Sequence, residues 1–277
     1  MSERAAYLLY PGSIDLSHMD IGMARKIALA IKKEVQGNVF SSDSGDEVYV
    51  GADGEATYRL DDLAEKAAIK TLEGEPVAVL SEEAGLVYLD KKPEYLCVLD
   101  PLDGSTNAVS GIPFYCASIA FALWSNKARL GDVKAGVVIN LVTGDVFEAE
   151  KAMGARLNGR RLKASKKTSL EDVTASLYLK SGYDVISAFS KVRAMGAVAL
   201  ELAHVAAGGI DGLIDNRNHL KVTDIAAGKL LVEEASGRVT DVWGNDLNQS
   251  ITKLERASIL AAGNPRLHAL MLREVSG

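Results

Sequence analysis

Residues 98–107, VLDPLDGSTN, place two carboxylates directly after an apolar run that has the character of a buried strand. Asp100 and Asp103 are three residues apart across a proline, and a Gly-Ser-Thr tripeptide follows them. A strand that ends in a tight turn and a helix start can direct both carboxylates to one point. The N–H groups of the new helix can then face a negatively charged ligand. Taken singly, Asp100 is explained as well by a turn, and Ser105 by a helix cap.

Two further apolar runs also end in carboxylates. The segment VLSEEAG contains Glu82 and Glu83, and KVTDIAAG contains Asp224 at a predicted helix start. In open α/β sheets, ligands bind at the ends of strands. Two carboxylates about 4 Å apart repel by roughly 4 kcal/mol at an effective dielectric constant of 20. A divalent cation removes that repulsion, and oxygen ligands without histidine or cysteine favour Mg²⁺ or Mn²⁺ over zinc.

Hydrophobic periodicity indicates the elements that must position these groups. Helices are predicted over 17–37, 61–72, 196–207 and 224–236, with a last helix after Asn264. Strands are predicted over 76–80, 95–99, 173–179, 210–214 and 257–261, with hairpin-like pairs between Tyr115 and Glu150. The polar, glycine-rich segment 37–54 is predicted to be a loop and the best candidate for a mobile segment. Two stacked α/β layers are the simplest architecture.

Composition restricts the class of protein. The chain has 277 residues, 48% of them hydrophobic, a mean hydropathy of +0.06 and a net charge of −6. This charge argues against a nucleic-acid partner, and no apolar run reaches the roughly 18 residues that a membrane span needs. The first residues lack an apolar signal core, and Cys97 and Cys116 both lie in apolar segments. We therefore expect a protein of the cytoplasm, without a membrane partner.

The acidic segments resemble the signature motifs of the inositol monophosphatase family. DPLDGSTN resembles D-P-x-D-G-[ST]-x-N, LSEE resembles the upstream glutamate motif, and TDIAAG resembles W-D-x-x-A-G. Three longer segments, GADGEATYRLDDLAE, RAMGAVALELAHVAAGGIDG and IDNRNHLKVTD, resemble archaeal-type members. Those members are similar to enzymes that act on both inositol 1-phosphate and fructose 1,6-bisphosphate. The resemblance covers roughly residues 51–240.

The resemblance implies a set of site residues. The implied metal ligands are Glu82, Asp100, Leu102 through its backbone carbonyl, Asp103 and Asp224. Asp61 would help to hold a weaker third metal and its water, so two or three Mg²⁺ per subunit are expected, with Mn²⁺ possible. The implied catalytic residues are Asp61, Glu82 and Ser105, whose hydroxyl would orient the attacking water. Many relatives have threonine at this last position.

The implied substrate contacts are Asp103, Gly104, Ser105, Thr106, Tyr178, Lys180, Arg193, Gly196, Val198 and Arg217. The N–H groups of Gly104 and Ser105 would face the phosphate. Inositol-specific relatives carry a glutamate at the position of Arg217, whereas an arginine there suits a second phosphate because its planar fork binds phosphate bidentately. Thr223 stands where many relatives have tryptophan, which leaves the packing beside Asp224 open.

The resemblance also implies a fold and an assembly. The expected fold is a layered αβαβα sandwich of the sugar-phosphatase type, an α+β or α/β architecture. It would comprise an N-terminal α+β subdomain at 1–152 with the metal site, and a C-terminal α/β subdomain at 153–277 that completes the metal and substrate site. Relatives are often homodimers, so a homodimer is expected here.

The predicted function is Mg²⁺-dependent hydrolysis of a phosphomonoester of a small sugar or polyol, by attack of water. One alternative is an NADP or 3′-phosphoadenosine-type nucleotide phosphatase of the same superfamily. Another is a non-catalytic protein that binds metal and sugar phosphate. A phosphatase of the haloacid dehalogenase type has its two aspartates two residues apart, whereas Asp100 and Asp103 are three apart. The sequence lacks G-x-x-x-x-G-K-[ST] and G-x-G-x-x-G, which argues against a nucleotide-hydrolysing or dinucleotide-binding module.

Overall fold

The computed structural model describes residues 21–276, with side chains through residue 275. The helices are α1 (Ile21–Asn38), α2 (Arg59–Leu72), α3 (Ser105–Val109), α4 (Val198–Ala206), α5 (Val222–Glu234) and α6 (Pro265–Ser276). None of the helices in this described part of the chain is both long and apolar enough to cross a membrane.

Fifteen strands are described within residues 21–276. They are β1 (Glu47–Val50), β2 (Ala56–Tyr58), β3 (Val77–Ser81), β4 (Gly85–Tyr88), β5 (Tyr95–Asp103), β6 (Cys116–Leu123), β7 (Ala135–Asn140), β8 (Val146–Glu150), β9 (Gly154–Leu157), β10 (Arg160–Arg161), β11 (Thr174–Tyr178), β12 (Lys191–Arg193), β13 (Gly212–Lys221), β14 (Arg238–Asp241) and β15 (Arg256–Ala262). β1 and β2 form a hairpin. The other strands form an eight-stranded sheet in the order β10-β9-β8-β7-β6-β5-β3-β4 and a five-stranded sheet in the order β12-β11-β13-β15-β14.

The two large sheets alternate with three layers of helices. In β3, Val77 and Val79 pack with α1 and α2, whereas Ala78 and Leu80 face the opposite side of the sheet. That opposite side packs on α4 and α5, which also contact the five-stranded sheet. α6 covers the outer face of the five-stranded sheet. The layer order is therefore α1/α2, sheet, α4/α5, sheet, α6, which confirms the predicted layered α+β sandwich.

Burial on both faces explains why the central strands have nearly continuous apolar sequences. Strand β5 is buried from Tyr95 to Leu102, and its parallel neighbour β3 is buried throughout. The same two strands carry the acidic motifs at their ends. The sheet that forms the core therefore also fixes where the carboxylates stand.

Most predicted elements are present with shifted ends. α2 and α5 each begin two residues before the predicted start, at Arg59 and Val222. The predicted first helix is described from Ile21, and its residues 17–20 lie outside the described residues. The prediction of a loop throughout 37–54 is wrong for 47–50, because β1 pairs there with β2.

The short strands β4, β9, β10, β12 and β14 were absent from the sequence prediction. β10 and β12 are edge strands with the sequences RR and KVR, and exposed charged residues are typical of sheet edges. β9 and β10 also continue the eight-stranded sheet beyond residue 152. The division into subdomains at 152/153 stays a prediction.

Glycines allow α5 to pack closely between a strand and a helix. A Cβ atom added at Gly136 of β7 would lie 3.1 Å from the Ala227 Cα atom of α5. One added at Gly228 would lie 2.7 Å from the Leu202 Cβ atom of α4. Helix α5 begins with the segment that holds Asp224, so its depth between the sheets determines the position of that carboxylate.

We expect Gly228→Ala to lower the free energy of unfolding by about 1–3 kcal/mol, because the new methyl group overpacks against Leu202. Gly37→Ala in α1 is the matched control, since a Cβ atom there meets nothing within 4 Å. The control should be neutral or stabilising by up to about 1 kcal/mol through helix propensity. Urea unfolding of the three proteins measures both effects. Equal stability of the two variants would contradict the packing argument.

Candidate active site

An irregularity in β5 brings its two aspartates to the same side. Asp100 pairs with Ser118 of β6, and Asp103 pairs with Cys116. A step of three residues along β5 therefore matches a step of two residues along β6. In a regular strand, residues three apart face opposite sides of the sheet. The extra residue of a β-bulge reverses that alternation. Both aspartates consequently line one cavity of about 400 Å³.

Two other aspartates take the same position in different helices. Asp61 is the third residue of α2 and accepts a hydrogen bond from the Tyr58 N–H at 3.1 Å. Asp224 is the third residue of α5 and accepts from the Lys221 N–H at 2.9 Å. A carboxylate in the first turn bonds an otherwise unpaired donor and interacts favourably with the helix dipole. The helix starts therefore fix where these side chains lie.

Glu82, Asp100 and Asp224 converge. Each offers one carboxylate oxygen, and the three oxygens lie within 4.8 Å of one another. Burial, together with the charge of Asp224, raises the pKa of Glu82 well above its usual range. Burial, together with the charges of neighbouring carboxylates, does the same for Asp100. Ionising this cluster therefore requires a cation beside it.

Lys221 contributes one positive charge. Its Nζ atom lies 2.5 Å from the Glu82 Oε1 atom and also forms an ion pair with Asp53. The lysine side chain is 5% exposed, so water screens these contacts little. One ammonium does not balance the three converging carboxylates and Asp53. All the converging ligand atoms are carboxylate oxygens. Hard divalent cations prefer oxygen ligands, so the cluster fits Mg²⁺ or Mn²⁺.

Asp103 is held through one of its two carboxylate oxygens. Its Oδ2 atom accepts a hydrogen bond from the Ala199 N–H of α4 at 2.6 Å, and the Cys116 thiol lies 3.6 Å from the same oxygen. Burial, followed by the charge of Asp224, raises its pKa to about 8. The Oδ1 atom takes no part in these bonds. Asp103 lines the cavity next to Asp100 and Asp224 but is not one of the three converging carboxylates.

A second, acidic cavity of about 210 Å³ lies on the α2 side. Its walls include Asp61, Glu83 and Asp53, and it shares Glu82 and Asp100 with the larger cavity. Burial, followed by the charge of Glu83, raises the pKa of Asp61 to about 8. The side chain of Glu83 accepts a hydrogen bond from the Thr57 hydroxyl, which ties it to the β1–β2 hairpin. Leu102 lines both cavities, and its predicted role as a backbone metal ligand stays a prediction.

The signature turn depends on its glycine. Gly104 has a φ of +89°, and a Cβ atom there would lie 3.0 Å from the Ala197 Cβ atom and 3.1 Å from the Phe114 carbonyl oxygen. Glycine alone fits this conformation and close approach without strain. It allows α3 to begin at Ser105, beside the larger cavity. The first amides of a helix have no partner within the helix, so this turn offers N–H groups to an anion.

Most predicted substrate contacts line the larger cavity. Those that do are Asp103, Gly104, Ser105, Thr106, Tyr178, Gly196, Val198 and Arg217. Lys180 and Arg193 are exposed and do not line it. The Lys180 N–H donates to the Asn216 side chain at 2.6 Å, and the Arg193 guanidinium donates to the Val192 carbonyl at 2.9 Å.

Arg217 and Tyr178 line the larger cavity together, and we call this part of its lining the distal wall. The Arg217 Cζ atom lies 4.4 Å from the centre of the Tyr178 ring, a distance typical of cation–π contacts. Its Nη2 atom lies 2.5 Å from the Asp215 Oδ2 atom, and its Nε atom lies 3.2 Å from both carboxylate oxygens. One edge of the guanidinium is thus bound to Asp215, while the residue as a whole lines the cavity.

Several cavity residues had no role in the sequence prediction. Lys221 stands three residues before Asp224, inside a recognised segment, but nothing in its spacing indicated an ion pair with Glu82. Asn107 ends the quoted signature, and its Nδ2 atom donates to the Phe114 and Met195 carbonyls at 2.8 and 2.7 Å. Glu55, His219 and Leu220 also line the cavity.

Thr223, the residue before Asp224, is completely buried. Its hydroxyl lies 3.1 Å from the Asp224 Oδ1 atom, and its backbone carbonyl accepts a hydrogen bond from the Ser118 hydroxyl at 3.2 Å. The threonine therefore packs beside Asp224 and contacts its carboxylate directly.

Comparison with known proteins agrees with this geometry. Residues 15–277 match the inositol monophosphatase family. A fructose-1,6-bisphosphatase/inositol-1-monophosphatase of Methanothermobacter thermautotrophicus is 36% identical over 91% of this chain and 95% of the relative. A bifunctional NADP phosphatase/NAD kinase of Methanococcus maripaludis is 34% identical over 89% of this chain and 47% of the relative.

A solved structure has the same fold over nearly its whole length. It is a hypothetical protein of Pyrococcus horikoshii, described as having similarities to inositol-1 monophosphatase. Its TM-score is 0.80 at 31% identity, covering 92% of this chain and 99% of that protein. The family match spans nearly the whole chain, and the signature residues lie around one acidic cavity. The chain belongs to the inositol monophosphatase family.

Proposed function

We propose that this chain is a Mg²⁺-dependent phosphatase that hydrolyses fructose 1,6-bisphosphate, inositol 1-phosphate, or both. The observation that supports it most directly is the convergence of Glu82, Asp100 and Asp224 beside a cavity of about 400 Å³. A phosphatase activity agrees with family membership and with the names of the archaeal relatives. The ion and the substrates are our proposal.

The proposed ligands divide into two overlapping sets. Glu82, Asp100 and the Leu102 carbonyl would hold one ion, and Asp100, Asp103 and Asp224 would hold the other. When bound, the ions lower the pKa of the attacking water, offset phosphoryl charge and stabilise the departing alkoxide. Asp61 lines the second cavity, and there it would help to hold a weaker third ion and its water.

Residues of the signature turn act on the phosphate and the water. The N–H groups of Gly104 and Ser105 bind phosphoryl oxygens, because the first amides of a helix are unpaired and carry partial positive charge. The Ser105 hydroxyl accepts or donates one hydrogen bond to orient the water. No side chain is required as a covalent nucleophile, so water attacks the phosphorus directly.

The distal wall suits a second phosphate. Arg217 uses one edge of its guanidinium for Asp215 and rests on the Tyr178 ring. An arginine has five N–H donors, so the pair with Asp215 leaves donors for a phosphate. Both contacts fix the orientation of the guanidinium before substrate binds, which reduces the entropy lost on binding.

A phosphate-release panel with Mg²⁺ tests this proposal against its alternatives. Fructose 1,6-bisphosphate, inositol 1-phosphate, NADP and 3′-phosphoadenosine compounds are compared at equal concentration. The NADP arm is included because of the similarity to the bifunctional NADP phosphatase/NAD kinase. Binding of sugar phosphate without phosphate release would support the non-catalytic alternative. Stereochemistry at phosphorus separates the mechanisms. Direct attack by water should invert the configuration of a chiral ¹⁷O-labelled phosphorothioate ester hydrolysed in H₂¹⁸O, whereas two displacements through a phosphoenzyme would retain it.

The cytoplasmic location and the homodimer stay predictions. The homodimer is expected from similarity to the family and is tested by sedimentation velocity of the purified chain. A monomer at the concentration of the activity assay would contradict it.

Asp100→Asn should lower turnover at least about a hundredfold, the loss that one preorganised electrostatic group typically causes. The fold should persist, because the substitution removes one of several mutually repelling carboxylates. Phosphate release and circular dichroism measure the two effects on one preparation. Asp246→Asn is the matched control, since the Asp246 side chain is 89% exposed and pairs with Arg238 on the surface. Near-normal activity of Asp100→Asn would refute the assignment of the metal site.

Mg²⁺ affinity should rise with pH between about 6 and 8. Asp61 and Asp103 have pKa values of about 8 in the metal-free fold but near 3.9 in an unfolded chain. Between about pH 4 and 8 the metal-free fold therefore holds more protons than the unfolded chain, so it loses stability as pH rises. Mg²⁺ must displace those protons, so its apparent affinity rises up to about tenfold per pH unit for each proton released.

Calorimetric titration with Mg²⁺ at pH 6, 7 and 8 measures this dependence, and thermal unfolding with and without Mg²⁺ checks it independently. Asp61→Asn removes one titrating group and should reduce the slope while preserving binding of the first ion. An affinity that is constant across this range would show that these carboxyl groups are not the Mg²⁺ ligands.

Arg217→Ala should raise KM for fructose 1,6-bisphosphate by about tenfold, as for the loss of a charge-assisted hydrogen bond, and change KM for inositol 1-phosphate little. Only fructose 1,6-bisphosphate has a second phosphate, so only this substrate loses a contact with Arg217. Both substrates are measured on one preparation, so partial unfolding cancels in the ratio. Arg266→Ala, an exposed residue of α6, is the control. Equal changes for both substrates would refute the second-phosphate contact and leave the phosphatase proposal intact.

A further inference from the structure

Glu201 is a completely buried carboxylate that has no part in the proposed chemistry. It lies in α4 and does not line the substrate cavity. Its Oε2 atom accepts a hydrogen bond from the Ser176 hydroxyl at 2.5 Å. Its Oε1 atom accepts from the Tyr178 hydroxyl at 2.7 Å and from the Met195 N–H at 2.6 Å. Three hydrogen-bond donors thus compensate the cost of burying this carboxylate. A well-packed apolar residue at the same position would need no donors.

Glu201 reaches the substrate cavity through its donor Tyr178 and through Gly196, the residue after its donor Met195. Tyr178 and Gly196 both line it. The Tyr178 hydroxyl, besides donating to Glu201, accepts a hydrogen bond from the Gly196 N–H at 2.7 Å. The Met195 carbonyl accepts from the Asn107 side chain at 2.7 Å. One carboxylate therefore ties strand β11 to the segment before α4, and through Asn107 to the helix of the signature turn.

The same network reaches the residue proposed to bind the distal phosphate. The Tyr178 ring, held at its hydroxyl by Glu201, is the surface on which the Arg217 guanidinium rests at 4.4 Å. A displacement of the ring would therefore move the guanidinium. Glu201 can act on substrate through Tyr178 without touching substrate or metal.

We propose that Glu201 is a positioning residue that fixes Tyr178 and the Met195–Gly196 segment, and thereby sets affinity for substrates with a second phosphate. The inference rests on the proposed function of the cavity. It assigns the selection between substrates to a residue outside the cavity. Its effect is on KM for the bisphosphate, while metal binding and turnover at saturation are preserved.

Three variants separate this role from a purely structural one. Glu201→Leu removes every acceptor, and Tyr178→Phe removes the hydroxyl but keeps the ring under Arg217. Glu201→Gln keeps an oxygen for Tyr178 and Met195, and its amide can donate to the Ser176 hydroxyl. Asp211→Ala is the control for general destabilisation. Asp211 is also buried and accepts three comparable hydrogen bonds, from Ser165, Lys167 and Thr174, outside the cavity.

Steady-state kinetics with fructose 1,6-bisphosphate and inositol 1-phosphate should show a shift in KM alone. Glu201→Leu and Tyr178→Phe should each raise KM for the bisphosphate by about tenfold relative to KM for inositol 1-phosphate. Glu201→Gln should restore the wild-type ratio within about threefold. The double variant Glu201→Leu/Tyr178→Phe should be no worse than the more impaired single variant, because Glu201 acts through the tyrosine hydroxyl. Asp211→Ala should leave the ratio unchanged even if its thermal midpoint falls.

Calorimetric binding of fructose 6-phosphate in the presence of Mg²⁺ provides a readout that needs no turnover, since this product retains the distal phosphate. Glu201→Leu should weaken that binding about tenfold and leave the Mg²⁺ isotherm unchanged. Unchanged fructose 6-phosphate binding in Glu201→Leu and Tyr178→Phe would overturn the positioning role, even in an active phosphatase. A wild-type protein that releases no phosphate, but binds fructose 6-phosphate in a Glu201-dependent way, would overturn the proposed catalysis and support the positioning role.

Discussion

The structure depends on a local excess of buried negative charge. Glu82, Asp100 and Asp224 place carboxylate oxygens within 4.8 Å of one another, and burial raises the pKa of each. Each ionised pair near 4 Å repels by roughly 4 kcal/mol at an effective dielectric constant of 20. Lys221 offsets part of this charge through Glu82 and Asp53. The remaining charge makes the cluster a strong site for a divalent cation and a poor site for any neutral ligand.

The two-sheet architecture explains how such a cluster can persist. Each carboxylate is attached to an element whose core packing is apolar, so the sheet and helices hold the charges in place against their repulsion. β5 is buried from Tyr95 to Leu102, and its bulge between Asp100 and Asp103 turns these two aspartates to one side. α5 approaches β7 and α4 through Gly136 and Gly228, and this close packing fixes the helix start that carries Asp224. Apolar burial in the layers thus offsets the electrostatic cost at their edge.

The sequence was sufficient for groups whose position follows from local geometry. Asp61 and Asp224 lie in the first turns of helices that periodicity indicates, and the signature around Asp100 predicts a strand end followed by a turn. It was insufficient where direction depends on the tertiary fold. Tyr178 and Lys180 would face the same side of a continuous strand, but β11 ends at Tyr178, so Lys180 turns away from the cavity. The ion pair of Lys221 with Glu82 joins residues far apart in the sequence, and no spacing rule indicates it.

Two kinds of buried carboxylate occur in this part of the fold, and the difference between them separates binding from positioning. The Glu201 carboxylate is surrounded by donors from its own protein, two on one oxygen and one on the other. Its interactions are complete without a ligand, so it can only hold its neighbours in place. Asp100 accepts one backbone hydrogen bond, from Leu102, and otherwise faces other carboxylates. A carboxylate in that situation is stabilised only by a cation from outside the chain, because burial denies it the water that would otherwise solvate its charge.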